Sequence, residues 1–237
     1  VEDIQADPLW TPFLELAKTA GVAACWSHPF TSTAGRVLGA LALYAPEPRA
    51  PTVEELSRLK AAARMTGLAV ERGRAEEALQ ARNQISATVF KCHSLEDLSA
   101  AVNNSIRALL NIDRVGLYIK KLNDQGLHLL LGSNFSDEER REAERTAMER
   151  HPREGIQTGE ALHIPDVASE LDHTSRDSSG RSSMVRARLW LPVFGRSETI
   201  GALGLFSLQP GGFPSEHIDT LRFLADVTGV VSERIES

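Results

Sequence analysis

Apolar residues recur along the chain with two periods, and the changes of period mark out its elements. Trp10, Phe13, Leu14, Leu16 and Ala17 fall at helical spacing after a strand end at 1–4 and a turn at Asp7-Pro8, and Gly21 is placed to end that helix. Residues 22–30 and 37–44 read as the strands of a hairpin about a turn at 31–35. Three prolines within 45–51 impose a loop. Thr52 is then a good N-cap, with Glu54 and Glu55 in the first turn, where the helix dipole favours acids. No helix breaker but Gly67 and Gly73 follows until about Cys92, so one helix is predicted over 52–92, with an intermittent stripe of Leu56, Leu59, Ala63, Val70, Leu79, Ile85 and Val89. Such a helix measures on the order of 60 Å, too long to be buried throughout in a domain this small. A two-chain coiled coil is the expectation, with a poor heptad over 67–77; a solvated linker is the alternative.

Ser94-Leu95-Glu96-Asp97 has the form of a capping box, and Leu95, Leu98, Val102, Ile106 and Leu109 give the helix after it an apolar face. Residues 114–121 alternate as a strand, with 127–131 as the hairpin partner across Asn123-Asp124-Gln125-Gly126. Ser136 caps a charged helix over 137–150, a loop follows at 151–160, and 161–164 is a short strand. Residues 171–183, rich in Ser, Asp and Arg, predict a mobile loop. A second hairpin, 184–194 with 198–208, precedes a last helix that starts at Pro214-Ser215-Glu216. Strand hairpins with helices at the ends give an α+β fold built on an antiparallel sheet.

The chain also repeats itself. Gly39-Ala40-Leu41-Ala42-Leu43 returns as Gly201-Ala202-Leu203-Gly204-Leu205. At the same offset, Ala63-Arg64-Met65-Thr66-Gly67 and Glu71-Arg72 return as Ala225-Asp226-Val227-Thr228-Gly229 and Glu233-Arg234. His28-Pro29-Phe30 matches Leu191-Pro192-Val193 with a slip of one residue, as a hairpin loop of different length would give. Two copies of one domain are therefore expected. Residues 1–75 would be the second half of a first copy, 52–92 a linking helix overlapping its end, and 94–237 a complete second copy.

Composition narrows the functions. The 237 residues are 42% hydrophobic and 24% charged, ordinary for a globular protein, and the formal net charge is −6. Without a basic face, nucleic acid is not an expected partner. No run approaches the roughly 18 apolar residues of a membrane span, and 1–20 has no signal-peptide layout, so a cytoplasmic location is expected. Cys25 and Cys92 are the two cysteines, with no CxxC spacing to suggest a disulfide framework or a zinc site.

Ser94-Leu95-Glu96-Asp97-Leu98 before a helix, Asp113-Arg114-Val115-Gly116-Leu117-Tyr118 as first strand, and Leu189-Trp190-Leu191-Pro192-Val193 running into Ile200-Gly201-Ala202-Leu203 together resemble the GAF domain, a sensory fold of bacterial signalling proteins. The resemblance covers 94–236 in full. Ala24-Cys25-Trp26-Ser27-His28-Pro29-Phe30, Gly39, Tyr44 and Pro48-Arg49-Ala50-Pro51 resemble the second half of the variant found in cyclic di-GMP enzymes and histidine kinases. The resemblance implies a first strand paired beside the last hairpin. In the half-copy the strand at 37–44 should then be left unpaired, an edge that a second copy of the chain would cover.

Strand alternation sorts the faces of the complete copy. Val115, Leu117, Ile119, Val185, Ala187, Leu189 and Leu191 lie on one side; Arg114, Gly116, Tyr118, Arg186, Arg188 and Trp190 lie on the other. The resemblance implies a ligand pocket on one sheet face under mid-domain loops. Tyr118, Arg186, Arg188 and Trp190 are the candidate ligand-binding residues, suited to a planar anionic molecule; no cofactor is named. The alternative is that the arginines reach solvent or pair with Asp166, Glu170 or Asp172. Cys92-His93 is similar to the bilin-holding pair of phytochromes but lies ahead of the domain's first helix, away from the pocket. Asn134-Phe135-Ser136-Asp137-Glu138 reads as a helix cap. His128, His163 and His173 share no ligand spacing, so no metal site is expected, and no catalytic motif is evident.

The expectation is a non-catalytic small-molecule sensory module of a cytoplasmic signalling protein. It would be a homodimer through the long helix, transmitting to an output domain absent here, either a diguanylate cyclase or phosphodiesterase or a histidine kinase. A ligand-free GAF dimerisation scaffold is the alternative. An enzyme of the methionine sulfoxide reductase kind is disfavoured by the isolated Cys92.

Overall fold

The computed structural model describes residues 1–120, 127–146, 158–169 and 185–237. The chain divides into two compact units, Val1–Glu77 and Ala78–Ser237.

In the first unit a 3-10 segment, Pro8–Phe13, is capped by the Asp7 side chain and runs into α1, Leu14–Ala20. Pro8 and Pro12 explain why the predicted helix begins as a tighter turn, since proline cannot supply an interior α-helical hydrogen bond. Gly21 ends α1 in the left-handed region, at φ 68°. Leu9, Phe13 and Leu16 remain exposed, and Ala17 is the buried residue of α1. Strands β1 (Ala24–Thr31) and β2 (Val37–Ala45) pair antiparallel, with Trp26 opposite Leu43.

The expected strand end at 1–4 forms no regular strand. Val1 and Cys25 nevertheless exchange both backbone hydrogen bonds, at 2.9 Å each, and the Ile4 N–H donates to Ala23 at 2.8 Å. The segment stops there because Asp3 Oδ1 accepts from the Gln5 N–H and turns the chain away. On the other side, β2 pairs with β1 alone among the described residues, and Val37 and Tyr44 are more than half exposed.

Helix α2, Val53–Val89, starts from a reciprocal capping box. The Glu55 N–H donates to Thr52 Oγ1 at 3.1 Å, and the Thr52 N–H donates to Glu55 Oε2 at 2.8 Å. Leu59 joins Ala24, Trp26 and Ala45 in the first unit's core. The boundary between the units falls within this helix, and Ile85 and Val89 belong to the core of the second unit. The helix stops at Val89, a turn short of the predicted end.

The second unit continues with α3 (Leu95–Leu109), β3 (Arg114–Lys120), β4 (Leu127–Ser133), α4 (Asp137–Thr146), β5 (Leu162–Ile164), β6 (Ala187–Phe194), β7 (Thr199–Ser207) and α5 (Ser215–Glu236). Ser94 caps α3 by accepting from the Asp97 N–H at 3.0 Å. The strands form one antiparallel sheet in the order β4-β3-β7-β6-β5, so the first strand does lie beside the last hairpin. The expected turn at 123–126 and loop at 171–183 lie outside the described residues, as does the end of the helix expected over 137–150.

One face of this sheet builds the main core. Val115, Leu117, Leu189, Leu191, Leu203 and Leu205 pack with Leu98, Val102 and Ile106 of α3 and with Leu221, Leu224 and Val231 of α5. The repeated stretches occupy matching elements: β2 and β7, then α2 and α5. Each helix comes close to a strand end through a glycine. A Cβ on Gly67 would collide with the carbonyl oxygen of Thr31, and one on Gly229 with that of Phe194. Both carbonyls sit at a break in strand register.

Gly229→Ala should therefore lower stability by about 1–3 kcal/mol through overpacking. Gly73→Ala, where an added Cβ meets nothing within 4 Å, should raise it by roughly 0.5–1 kcal/mol. Urea unfolding followed by circular dichroism checks both; a neutral Gly229→Ala would contradict the close contact.

Candidate functional site

The other face of the five-stranded sheet carries the candidate residues, and its register decides how they meet. Tyr118 lies opposite Ala202, which lies opposite Pro192. Gly116, Gly204 and Trp190 form the next row, and Arg114, Phe206 and Arg188 the row after. The two adjacent glycines make room for the large rings. A Cβ on Gly116 would stand 2.9 Å from the Tyr118 ring, and one on Gly204 2.6 Å from the Trp190 ring. The rings therefore lie down over the glycine row and meet, with centroids 5.6 Å apart. Phe206 abuts Trp190 edge-on at 5.3 Å, and Phe135 abuts Phe206 at 6.2 Å. Leu127, Leu129 and Ala202 complete a second, smaller apolar cluster around Tyr118 and Trp190.

Of the four residues expected to share this site, Tyr118 and Trp190 are brought into contact and buried, at 4% and 6% exposure. Burial pushes the Tyr118 phenol well above its ordinary range. The Trp190 indole Nε1 is buried without a hydrogen-bond partner among the described residues. Arg186 stands just before β6, and its guanidinium turns to Asp166, at 3.0 Å from Oδ2. That hydrogen bond, with one from the Ala168 N–H, holds the Asp166 carboxyl below its usual range. Arg188 is half-buried, on the Phe206 row. Arg114 pairs with Glu139 at 2.7 Å and lies 6.0 Å from the centre of the Phe135 ring.

The sequence reading did not include Phe206, Phe135, Leu127 or Leu129 in this face. Phe206 continues the alternation through Ala202 and Gly204 and was findable on that ground; the others depend on register across β3 and on the fold of the segment after β4. A separate cleft of about 420 Å³ is lined by Gly159, Glu160, Ala161, Pro192, Phe194, Arg222 and Asp226. Partial desolvation in the cleft raises the Asp226 carboxyl, opposed by the charge of Arg222, although the residue is exposed overall.

The remaining candidates fall elsewhere. Cys92 is buried in the core on the helix side of the sheet, its thiol donating to the Thr88 carbonyl at 3.6 Å, and burial raises its pKa. Cys25 is half-buried on β1 of the first unit. Asn134-Phe135-Ser136-Asp137-Glu138 is a helix cap, with Ser136 and Glu139 exchanging hydrogen bonds at 2.8 and 3.2 Å. His163 packs edge-on to Phe213 at 5.9 Å. His128 lies on β4, and His173 lies outside the described residues. Among the described residues no cluster of His, Cys, Asp and Glu could hold a metal ion, and no helix is long and apolar enough to cross a membrane.

The second unit is thus a five-stranded antiparallel sheet with α3 and α5 against one face and an aromatic cluster on the other. The chain belongs to the GAF domain family, whose sequence model matches residues 1–70 and 94–231. Over 90 residues it is 36% identical to a methyl sulfide methyltransferase-associated sensor of Methanosarcina acetivorans; this covers 38% of the chain and 9% of that relative's length. Among solved structures it is similar to the GAF domain of a phosphoenolpyruvate-protein phosphotransferase from Coxiella burnetii. That match has a TM-score of 0.55 at 18% identity, over 67% of this chain and 95% of the other. It is also similar to a free methionine-R-sulfoxide reductase from Neisseria meningitidis, with a TM-score of 0.50 at 18% identity over 67% and 88% of the two chains. At these identities the structures show the fold alone.

Although His163 is exposed overall, partial desolvation of its imidazole holds it below its ordinary value near 6.5. On acidification the unfolded chain binds that proton first, so the stabilising contribution is complete above pH ~6.5 and is lost as pH falls through the folded value. An NMR titration should give His163 a midpoint below 6.5, and His163→Gln should remove its part of the acid destabilisation. A midpoint at or above 6.5 would contradict that desolvation.

Proposed function

We propose that the chain is a non-catalytic sensory module: the second half of one GAF domain, a signalling helix, and a complete second GAF domain, acting as a homodimer on an output domain outside this sequence. The observation that carries the reading is α2. It contributes Leu59 to the first unit's core and Ile85 and Val89 to the second's, so it is a structural member of both. Between those anchors it exposes Met65, Leu68 and Leu79, with Ala61 and Ala75 on the same heptad positions and the charged Arg72 standing between Leu68 and Ala75. Apolar residues at heptad positions on an exposed helix, interrupted here once by Arg72, form a coiled-coil seam. A second copy of the chain is the partner such a seam fits. The relative from Methanosarcina acetivorans, described as a sensor, supports the sensory part of the reading.

The ligand face would be the sheet surface around Tyr118, Trp190 and Arg188, with the Trp190 N–H as a donor for a ligand acceptor. Arg186, already paired with Asp166, would have a positioning role. A bound small molecule shifts the helix between two states only by its differential affinity for them. Absence of catalysis is favoured by the location of Cys92, on the helix side of the sheet and away from this face. A second reading, the ligand-free dimerisation scaffold, is favoured by the burial of Tyr118 and Trp190 against each other.

Met65→Glu combined with Leu68→Glu should convert a dimer to a monomer in sedimentation equilibrium. In the full-length signalling protein it should abolish the response of the output to its stimulus. A variant that stays dimeric and responsive would overturn transmission through α2.

A further inference from the structure

The repeat contains a second contact in each copy. In the first unit Glu71, one turn beyond Gly67 on α2, accepts from the backbone N–H and the hydroxyl of Thr33, at 3.1 and 2.9 Å, at the tip of the β1–β2 hairpin. In the second unit Glu233, one turn beyond Gly229 on α5, accepts from the backbone N–H of Arg196 at 2.9 Å, at the tip of the β6–β7 hairpin. The same carboxylate closes over Gly195, where an added Cβ would strike it. In both copies a glycine seats the helix on the last strand carbonyl, and a glutamate four residues on holds the tip.

The copies then differ at the following arginine. Arg72 makes an exposed pair with Glu76 at 2.7 Å. Arg234 reaches the carbonyl oxygens of Phe90 and Cys92, at 3.0 and 2.5 Å, just past the end of α2. A helix end leaves carbonyls without intrahelical partners, and a cation there is favoured by the dipole. The acceptor segment is itself fixed, since Val89 and Cys92 are buried in the main core. The hairpin tip, by contrast, borders a cleft of about 360 Å³ lined by Lys120, Arg196, Glu198, Ile200 and Glu233, which leaves it room to shift.

We propose that Glu233-Arg234 is a mechanical joint that ties the β6–β7 hairpin tip, the end of α2 and the last turn of α5 into one unit, so that movement of the hairpin is passed to both helices. Apolar packing between these elements is non-directional, whereas charge-assisted hydrogen bonds at the two ends of one dipeptide fix their relative position. The joint gives the sensory reading above a route from sheet to helix and rests on that reading for its purpose. Its existence is tested without a ligand.

Amide hydrogen exchange of the whole chain, read by mass spectrometry, separates a joint from two local contacts. Glu233→Ala should speed exchange at residues 195–199 and also at 90–95. Arg234→Ala should do the same at both places, each by about three- to tenfold, the factor that loss of one net hydrogen bond gives. Val230→Ala, an exposed neighbour on the same helix, should leave both segments unchanged. Effects confined to 195–199 in the first variant and to 90–95 in the second would overturn the joint. If Glu233→Ala fails to fold, Glu233→Gln, which retains an acceptor oxygen, carries the same two-segment test at smaller amplitude.

Discussion

The seating of α5 on the sheet through Gly229 is the constraint on which the second unit depends. With a side chain at that position the helix would stand off from the carbonyl of Phe194, and Leu221, Leu224 and Val231 would lose their depth in the core. The strand answers with a register break at the same residue, which bends its end toward the helix. Gly67 and the end of β1 repeat the arrangement in the first unit. Close approach also makes the polar contact possible: a glutamate one turn on is short enough to reach the hairpin tip only because the helix axis lies so near.

The opposite sheet face is governed by a different set of small residues. Gly116 and Gly204 let two large rings fold over the glycine row, tilted 46° to one another, which turns a face that alternates polar and aromatic in sequence into a compact aromatic cluster. The arginines that flank it are distributed to its edges, Arg114 toward Glu139 and Arg186 toward Asp166. What is left at the centre is an indole N–H, a phenol held neutral by burial and aromatic surface, with half-buried Arg188 beside them on the Phe206 row.

Much of the fold was legible in the sequence because its signals are local. The N-caps at Thr52, Ser94 and Ser136, the Gly21 stop and the strand alternation each depend on a few adjacent residues, and each set its element to within a few positions. That the first strand pairs beside the last hairpin came from the family resemblance rather than from periodicity. The candidate site was legible only as a face. Tyr118 and Trp190 could be placed on one side of the sheet, but their contact depends on registers across β3, β7 and β6, and on glycines whose effect is read only once the strands are aligned. Asp166 as the partner of Arg186 was one of three open possibilities, because residues twenty apart meet only through tertiary structure. The shortfall at the end of α2 has the same origin: Phe90 and Cys92 leave the helix to offer their carbonyls to Arg234, which is distant in sequence.

The two units thus share one device, a glycine and a glutamate on a helix gripping a hairpin, and one helix belongs to both. Under the proposed joint a change on the sheet would become a change in helix position, as the proposed sensory module requires. The most direct test of this account is native mass spectrometry of the intact chain as purified. The account predicts a dimer with a defined small-molecule mass excess; a bare polypeptide mass would contradict the sensory reading and leave a dimerisation scaffold in its place.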